Sequence, residues 1–490
     1  MIPVLLIVIP LVSGLLAFLI KQEKSVKTWA LLTSIITLVV AILPFALHKA
    51  SDLQTDVAWL PELGSSFSVT MDGMSKLLCL LTGIAFPAIF IATWNTTYKN
   101  PNNFFALMLL MQTGLIGVFV ASDALLFYFF WELALIPAYF LCSIWGGERR
   151  VAVTFKFFIY TFVGSLLMLV GIIWVYFHTP DHSFAMTSFY KADIPRDQQG
   201  WVFWLFFIAF AIKIPLFPLH TWQPDTYEQS PTAVTMVLSG VMVKMGVFGI
   251  LRWLAPVVPV GLWSWGDTAA WMCVIGMIYG SLLAMQQDDL KRLIAYSSIA
   301  HMGLMGLAIF VTSSIGIQGV MVQMFNHGIN IIGLWIVVEL IERQFHTRKM
   351  SELGGLAQNA PGLAIMLVVV ALANVALPLT NAFVGEFMMF NGVFGSKSSN
   401  YHYIFMVVGL ISIILSAIYT LNMIQKVFYG NTNTLTASAR DIRFNEKLVL
   451  AILLIGIVVM GVYPKPMIEA TRHAVDAIYS TMYVQLPGRK

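Results

Sequence analysis

Two stretches decide the fold: AIKIPLFPLHTWQPD (211–225) and NVALPLTNAFVGEF (374–387). Each breaks an apolar run with proline, and each holds an ionisable residue in or beside the break. Proline has no N–H. Pro215 and Pro218 therefore deprive the carbonyls of Ala211 and Ile214 of their helical donors, and Pro378 does the same to Asn374. In hydrocarbon such carbonyls must find protein or internal water.

The rest of the chain shows that hydrocarbon is the relevant solvent. Of 490 residues, 59% are hydrophobic and 11% charged, against roughly 25% charged in soluble domains. Apolar runs recur from end to end, and they do not alternate as the strands of a spanning barrel do. By the length needed to cross a bilayer, about fourteen spans are expected. Their approximate limits are about 2–20, 28–47, 73–94, 103–121, 124–145, 152–177, 201–219, 232–254, 268–286, 290–312, 317–341, 362–394, 402–428 and 446–464. The fold class is all-α, a polytopic membrane protein in one transmembrane domain. Its expected divisions are three N-terminal helices in 1–95, a first five-helix repeat in 103–254, a second in 268–428, and a last helix and tail in 446–490. The breaks fall in spans 7 and 12. Helices 4–8 and 9–13 then read as an internal repeat. Five is odd, so corresponding helices run in opposite directions and the repeats are inverted.

The first run, Ile2–Ile20, lacks a basic region before it and a small-residue cleavage site after it, and reads as a retained helix. Basic loops set the orientation. With both termini outside, the inner loops gather Lys21, Lys24, Lys27, Lys99, Arg149, Arg150, Lys291, Arg292, Arg343, Arg348 and Lys349 among others. The loop at 220–230 is contrary, since it carries Asp225 and Glu228.

Cys79, Cys142 and Cys273 lie far apart and show no Cys-x-x-Cys spacing, so no metal or iron–sulfur site is expected. No Gly-rich nucleotide loop and no basic patch for nucleic acid is present. Membrane lipid is the expected surrounding.

An ionised side chain at mid-bilayer costs roughly 2.5–3.5 kcal/mol on insertion scales, so such residues are retained when paired, hydrated or useful. Glu132, Lys213, Lys244 and Glu386 all fall well inside spans and are read as proton-translocating groups. For Glu132 the bland alternative is a packing ion pair, and for Lys213 a snorkelling ammonium. His301 and His327, near the middle of spans 10 and 11 and surrounded by serine and asparagine, are read as a relay, because histidine titrates near neutrality. Asp123 and Lys156 are weaker candidates, interfacial or near the inner face. Glu339 is read as interfacial.

The segments GLIGVFVASDALLFYFFWELALIPAYFL (114–141), KFFIYTFVGSLLML (156–169), KIPLFPLHTWQPD (213–225), DLKRLIAYSSIAHMG (289–303) and NAFVGEFMMF (381–390) resemble the antiporter-like membrane subunits of respiratory complex I, NADH-quinone oxidoreductase. The M-type branch is favoured, because Glu386 stands where L- and N-type chains have lysine. The resemblance implies a proton-translocating, non-redox subunit of a translocase in a bacterial inner membrane. It implies that residues matching Glu132, Lys213, Lys244 and Glu386 form the proton channel and that those matching His301 and His327 form a polar axis. The expected partners are antiporter-like chains L and N and small membrane subunits. NADH, FMN, iron–sulfur clusters and quinone are expected on partner subunits, with no cofactor on this chain. A multi-chain sodium/proton antiporter is the alternative. Two motifs depart from the family pattern. Gln223–Tyr227 replaces a Leu-Pro-Asp-Ala-His run, and Pro378-Leu379-Thr380 replaces Pro-Gly-Thr.

Overall fold

The computed structural model describes residues 1–46 and 50–484. The expected end of the second span at residue 47 and the last six residues of the tail lie outside these. The helices relevant here are α1 (Ile2–Ala17), α2 (Glu23–Ala46), α3 (Gly73–Ala92), α4 (Pro101–Val120), α5 (Ala124–Trp145) and α6 (Arg150–Tyr176). They continue as α7 (Gln199–Lys213), α8 (Trp222–Gln229), α9 (Thr232–Val257), α10 (Pro259–Met285), α11 (Leu290–Phe310) and α12 (Ser314–Phe345). The last five are α13 (Pro361–Asn374), α14 (Asn381–Phe394), α15 (His402–Phe428), α16 (Phe444–Val462) and α17 (Lys465–Val484). Among the described residues, 11 helices are long and apolar enough to cross a membrane, and α1, α7 and α13 are shorter apolar helices. Together they are the fourteen spans expected from hydropathy, broken where the prolines fall: after α7 and after α13.

Burial separates a core from a lipid-facing ring. The central windows of α9 and α12 are 100% buried and that of α11 is 94% buried, against 33% for α15 and 28% for α16. The helices that bury every face are the ones that carry Lys244, His301 and His327. A helix apolar all round belongs in the interior, and polar residues on it can only face protein.

The repeat is visible in the backbone. At the start of α5, Ala124 N–H donates to the Phe184 carbonyl at 2.8 Å, and Met186 N–H donates to Ser122 at 2.8 Å. At the start of α11, Leu290 N–H donates to Arg348 at 3.0 Å, and Met350 N–H donates to Asp288 at 2.8 Å. The same two-bond clip thus recurs, each time beside an aspartate N-cap. Asp123 accepts from the N–H groups of Leu125 and Leu126, and Asp289 from those of Lys291 and Arg292. Five membrane crossings separate the clips, so they sit on opposite faces, and the two five-helix units are inverted.

Two elements were not read from hydropathy. An antiparallel hairpin, β1 (Gln54–Leu60) with β2 (Ser65–Thr70), pairs Gln54 with Thr70 and covers the first clip. Ser122 N–H donates to Ser68 O at 2.9 Å. The hairpin turns through Gly64 at φ +72, where a Cβ would stand 2.2 Å from the His182 carbonyl; only glycine fits there. The second is α17, the amphipathic tail helix, anchored by Gln318 Nε2 donating to the Ile468 carbonyl at 3.3 Å. Its burial of Ala474, Val475 and Ile478 puts its apolar stripe on the bundle.

Candidate functional site

The broken helices repair themselves with the same backbone device and different side chains. At the first break, the Ala211 carbonyl takes the Leu216 N–H at 2.8 Å instead of going without, and the Trp222 indole donates to Ile212 O at 3.0 Å. At the second, the Leu372 carbonyl takes the Leu377 N–H at 3.1 Å in the same way, and side-chain amides are added to it. Asn330 Nδ2 donates to Ala373 O at 3.2 Å, and Asn326 Nδ2 to Asn381 O at 2.7 Å. In an apolar interior an unpaired backbone carbonyl costs a substantial part of its desolvation, so these asparagines hold the gap open at a tolerable cost.

Inside the core the sequence-predicted residues fall into two groups. The first is a continuous row. Lys244, wholly buried, donates from Nζ to Ser239 O at 2.8 Å and meets His327 Nδ1 at 2.9 Å. The His327 and His301 ring centroids are 5.6 Å apart. His301 Nδ1 lies 3.1 Å from Glu386 Oε1, and Gln323 Nε2 donates to the same oxygen at 3.3 Å. The Asn374 amide meets His301 Nε2 at 3.3 Å. Ser297 Oγ accepts from Asn374 Nδ2 at 3.4 Å and from Tyr419 Oη at 2.9 Å.

Lys244 reaches this row because α9 is wound wide. Leu238–Met242 forms a π turn, in which Val243 N–H bonds back to Leu238 O at 3.2 Å. A π turn places residues five apart on one face and frees a carbonyl. Ser239 O is that carbonyl, and Lys244, five residues on, takes it. Gly246 and Gly249 let α9 lie against α7, since a Cβ at Gly246 would come within 2.7 Å of Phe210 O.

An ammonium has only donors. When Lys244 is charged, His327 Nδ1 must accept, and its proton sits on Nε2. When His327 carries the proton on Nδ1 and donates, Lys244 must be the neutral amine. The contact therefore accommodates one proton between two bases. His301 can likewise donate from Nδ1 to the Glu386 carboxylate.

The second group is Glu132 and Lys213. Lys213 is 1% exposed and its Nζ has no hydrogen-bond partner. It faces the Trp131 ring, 5.3 Å from the centroid, and feels Glu132 electrostatically. Glu132 faces Ser165 and Tyr128, while its Oε1 has no partner of its own. The two form no direct ion pair. Other buried polar atoms without a protein partner include Gln112 Nε2 and Oε1, Ser298 Oγ, His327 Nε2 and Trp335 Nε1. Polar atoms so enclosed call for internal water.

The weaker candidates take other positions. Asp123 caps α5 and also accepts from Ser65 Oγ and Ser66 N–H at 3.0 Å. Lys156 pairs with Asp225 at 2.9 Å and donates to Thr221 O. It belongs to a charge network on the basic-loop face. There Arg292 sits 3.1 Å from Asp225 and 2.8 Å from Glu228, and Arg348 lies 3.1 Å from Glu342. Asp225 and Glu228, contrary to the basic-loop rule, are the counter-charges of this network. On the opposite face Asp72 pairs with Arg252 at 2.6 Å. Burial alone would raise the Asp72 carboxyl, but the Arg252 guanidinium and the Ser75 N–H outweigh it and hold the group below its usual value.

Sequence reading did not single out Ser239, Gln323, Asn374 or Asn381 as parts of the site; each is a neutral polar residue on an otherwise apolar helix. The three cysteines are free and buried. Among the described residues no group of three or more His, Cys, Asp or Glu side chains could hold a metal ion.

The family model described as NADH:quinone oxidoreductase/Mrp antiporter, TM, matches residues 121–416. NADH-quinone oxidoreductase subunit M of Pseudomonas aeruginosa is 34% identical, with 99% of each chain covered. Among solved structures, a chain of respiratory complex I from Thermus thermophilus with bound NADH superposes with a TM-score of 0.91 at 27% identity, covering 98% of this chain and 100% of that one. A chain of the Mrp complex from Dietzia sp. DQ12-45-1b gives a TM-score of 0.86 at 19% identity, covering 99% and 98%, and shares the fold.

Proposed function

Since the chain belongs to the NADH:quinone oxidoreductase/Mrp antiporter membrane family, we propose that it is the M-type proton-translocating subunit of a bacterial complex I. It moves protons along its buried axis while partner subunits carry electrons. The observation that carries this reading is the row Lys244–His327–His301–Glu386, in which protonatable groups of three helices lead to Glu386 of a fourth, with contacts of 2.9 and 3.1 Å at its ends. A protein that needed only packing would fill these positions with leucine at lower cost.

In this reading Lys213 and Glu132 form the loading half. Lys213 has no fixed partner, so its charge state answers to whatever field reaches it. A conformational or charge change on a neighbouring subunit alters the Glu132–Lys213 interaction. The proton passes by way of water to Lys244, is shared with His327, moves to His301 and leaves towards Glu386. A one-unit change in the proton affinity of any member corresponds to about 1.36 kcal/mol, which a single nearby charge can supply. Asp123 and Lys156 support helix positions and take no step.

The chain acts as a non-redox subunit. NADH, FMN, iron–sulfur clusters and quinone belong to its partners, which include L- and N-type chains. The divisions 1–95, 103–254, 268–428 and 446–490 are the working parts of one domain, with both termini on the outer side of the inner membrane. Lys244→Met in the intact complex tests the reading. Pumping in proteoliposomes is expected to fall about a hundredfold or more, the usual scale for loss of a proton-transfer group. Pumping at the unmodified rate would reject it.

A further inference from the structure

On the basic-loop face, the ends of α3 and α12 and the start of α16 close around a polar cavity of about 500 Å³. Its wall includes Asn95, Arg343, Arg440, Asp441, Arg443 and Glu446. The carboxylates there are committed. Asp441 accepts from the N–H groups of Gly362 and Leu363 at 2.9 and 3.0 Å, at the start of α13. Glu446 pairs with Arg343 and accepts from the Arg443 N–H at 2.8 Å. The arginines have more to give. Arg343 Nη1 is buried without a partner, and Arg440 and Arg443 form no ion pair among the described residues. A guanidinium has only donors. The cavity therefore holds a surplus of N–H groups and of positive charge, which an anion with several acceptor oxygens would satisfy.

One turn deeper, the polar wall gives way to an apolar one. Ile91 stands four residues before Asn95, and Val449 three after Glu446. Both line a groove of about 480 Å³ together with Ile35, Phe325, Ile329 and Gly456, and every residue of its wall is apolar. Asn445 Nδ2 donates to Ile91 O at 3.0 Å where the two spaces meet. The groove opens sideways. Its lips, Ile35 of α2 and Ile452 of α16, are 38% and 56% exposed, while its floor, Phe325 and Ile329 of α12, is buried. Four apart, Phe325 and Ile329 share a face; His327 between them points the other way, to Lys244. Phe444, at the head of α16, is 82% exposed, as suits an aromatic at the depth where bilayer meets water. A helix with its side chains is about 10–12 Å across, and three turns of one would need well over twice the groove's volume. A single acyl chain is thinner.

We propose that one anionic phospholipid is a resident ligand of this chain, with its phosphate among Arg343, Arg440 and Arg443 and one acyl chain in the groove over Phe325 and Ile329. Basic pockets between membrane helices take anionic headgroups, and the arginine fork matches phosphate oxygens. The apolar groove begins where the headgroup pocket ends, which is the order of parts in a phospholipid. So placed, the lipid ties α2, α3 and α16 to the back of the α12 turn that carries His327. The inference does not depend on the proton-handling reading, since it concerns the face of α12 turned away from the relay.

Photolabelling tests it. The intact complex is reconstituted in phosphatidylcholine vesicles carrying a trace of phosphatidylglycerol with a diazirine in one acyl chain, or of the matching phosphatidylcholine probe, and labelled peptides are mapped. The phosphatidylglycerol probe is expected to label the groove residues of α3, α12 and α16 about tenfold more than the phosphatidylcholine probe, the scale of attraction from two arginines. Arg440→Gln with Arg443→Gln is expected to remove that preference. Gly456→Leu is expected to lower labelling by both probes, because a Cβ there meets only Met460 Cε, at 3.8 Å, and the larger side chain enters the groove. Equal labelling by the two probes in the unmodified complex would reduce the site to bulk lipid and overturn the proposal. A groove left unlabelled while α15 is labelled would show that a neighbouring subunit covers it, and would overturn the proposal as well. Should the arginine pair not assemble, Gly456→Leu and the ratio of the two probes decide, and labelling unchanged by Gly456→Leu would reject the bound chain.

Discussion

The two halves of the molecule share an architecture and hold their charges in opposite ways. In the second repeat, Glu386 and His301 are fixed by direct contacts, and they continue to Lys244 through His327. In the first, Lys213 has no hydrogen-bond partner and stands beside an aromatic ring. One half is wired and the other is poised. A proton path needs both: contacts to conduct, and a group whose charge is free to respond. The inverted repeat supplies two copies of one scaffold, and side-chain amides account for the difference. Both breaks close with a backbone bond five residues back; Asn326, Asn330 and Asn374 are added at the second, and Trp222 at the first.

The largest expected break in this contrast comes from arginine at each lysine. Lys244 Nζ is positioned by Ser239 O and His327 Nδ1 at 2.8 and 2.9 Å in a fully enclosed site. Arginine cannot become a neutral acceptor there, since it stays charged in proteins. Lys244→Arg should reduce pumping-coupled turnover about tenfold or more. Lys213 has no fixed bonds to lose, so Lys213→Arg should retain a larger fraction of turnover. Both lysines stand in the first repeat, Lys244 where it joins the row of the second, and equal losses in the two variants would erase the distinction between the fixed and the unpartnered lysine.

Stability at the breaks gives the next effect. Asn330→Leu leaves the Ala373 carbonyl with the Ala376 N–H at 3.1 Å, and Asn326→Leu leaves Asn381 O at the head of its own helix. Each should cost about 1 kcal/mol, the net worth of one hydrogen bond. Trp222→Phe removes the indole donor from Ile212 O, whose helical partner Leu216 N–H has gone to Ala211 O, and should cost about 1–3 kcal/mol, the penalty for stranding a buried acceptor. Thermal inactivation of the purified complex ranks the three. A larger loss for Asn330→Leu would mean that the second break leans on its amides in spite of its backbone bonds.

A smaller effect sharpens the same contrast. Leu379 occupies φ +74 in the second break, where its family pattern has glycine. The left-handed region costs a residue with a Cβ roughly 1–2 kcal/mol, partly offset by the entropy that glycine loses on folding. Leu379→Gly should therefore raise stability by about 1 kcal/mol or less, read as a later thermal midpoint. A fall in stability would show that the 69% exposed Leu379 side chain makes contacts worth more than the strain, as in a subunit interface.

Hydropathy and proline placement made the spans, the two breaks and the charged residues legible. They did so because length, apolar continuity and the missing N–H act locally. The same logic did not reach Ser239, Gln323 or Asn381. Their role is set by which helix lies opposite, and a neutral polar residue carries no large insertion cost to mark it. The π turn of α9 was equally hidden, since nothing in SGVMVKMGVFGI (239–250) distinguishes five-residue from four-residue winding. The 54–70 hairpin escaped because β1 is mostly exposed and its pairing depends on a turn at Gly64. Asp225 and Glu228 looked contrary because a rule that counts lysine and arginine cannot show that α6, α11 and the loops before α6 and after α12 bring cations to meet them.

The least costly change tests the rim of that network. Arg149 pairs with Glu228 at 3.2 Å, with 61% of its side chain exposed. Glu228 also has Arg292 at 2.8 Å and Arg348 at 3.4 Å. An exposed pair is worth about 0–1 kcal/mol, and salt screens it further. Arg149→Ala should then shift thermal inactivation only slightly and leave turnover intact, since two other cations still neutralise Glu228. Arg292→Ala takes one partner from each of Asp225 and Glu228 and should cost more, because these two pairs tie α8 to the start of α11. If Arg149→Ala proved as damaging as Arg292→Ala, the network would be a chain in which every link counts, and the basic-loop face would be as tightly wired as the core row above it.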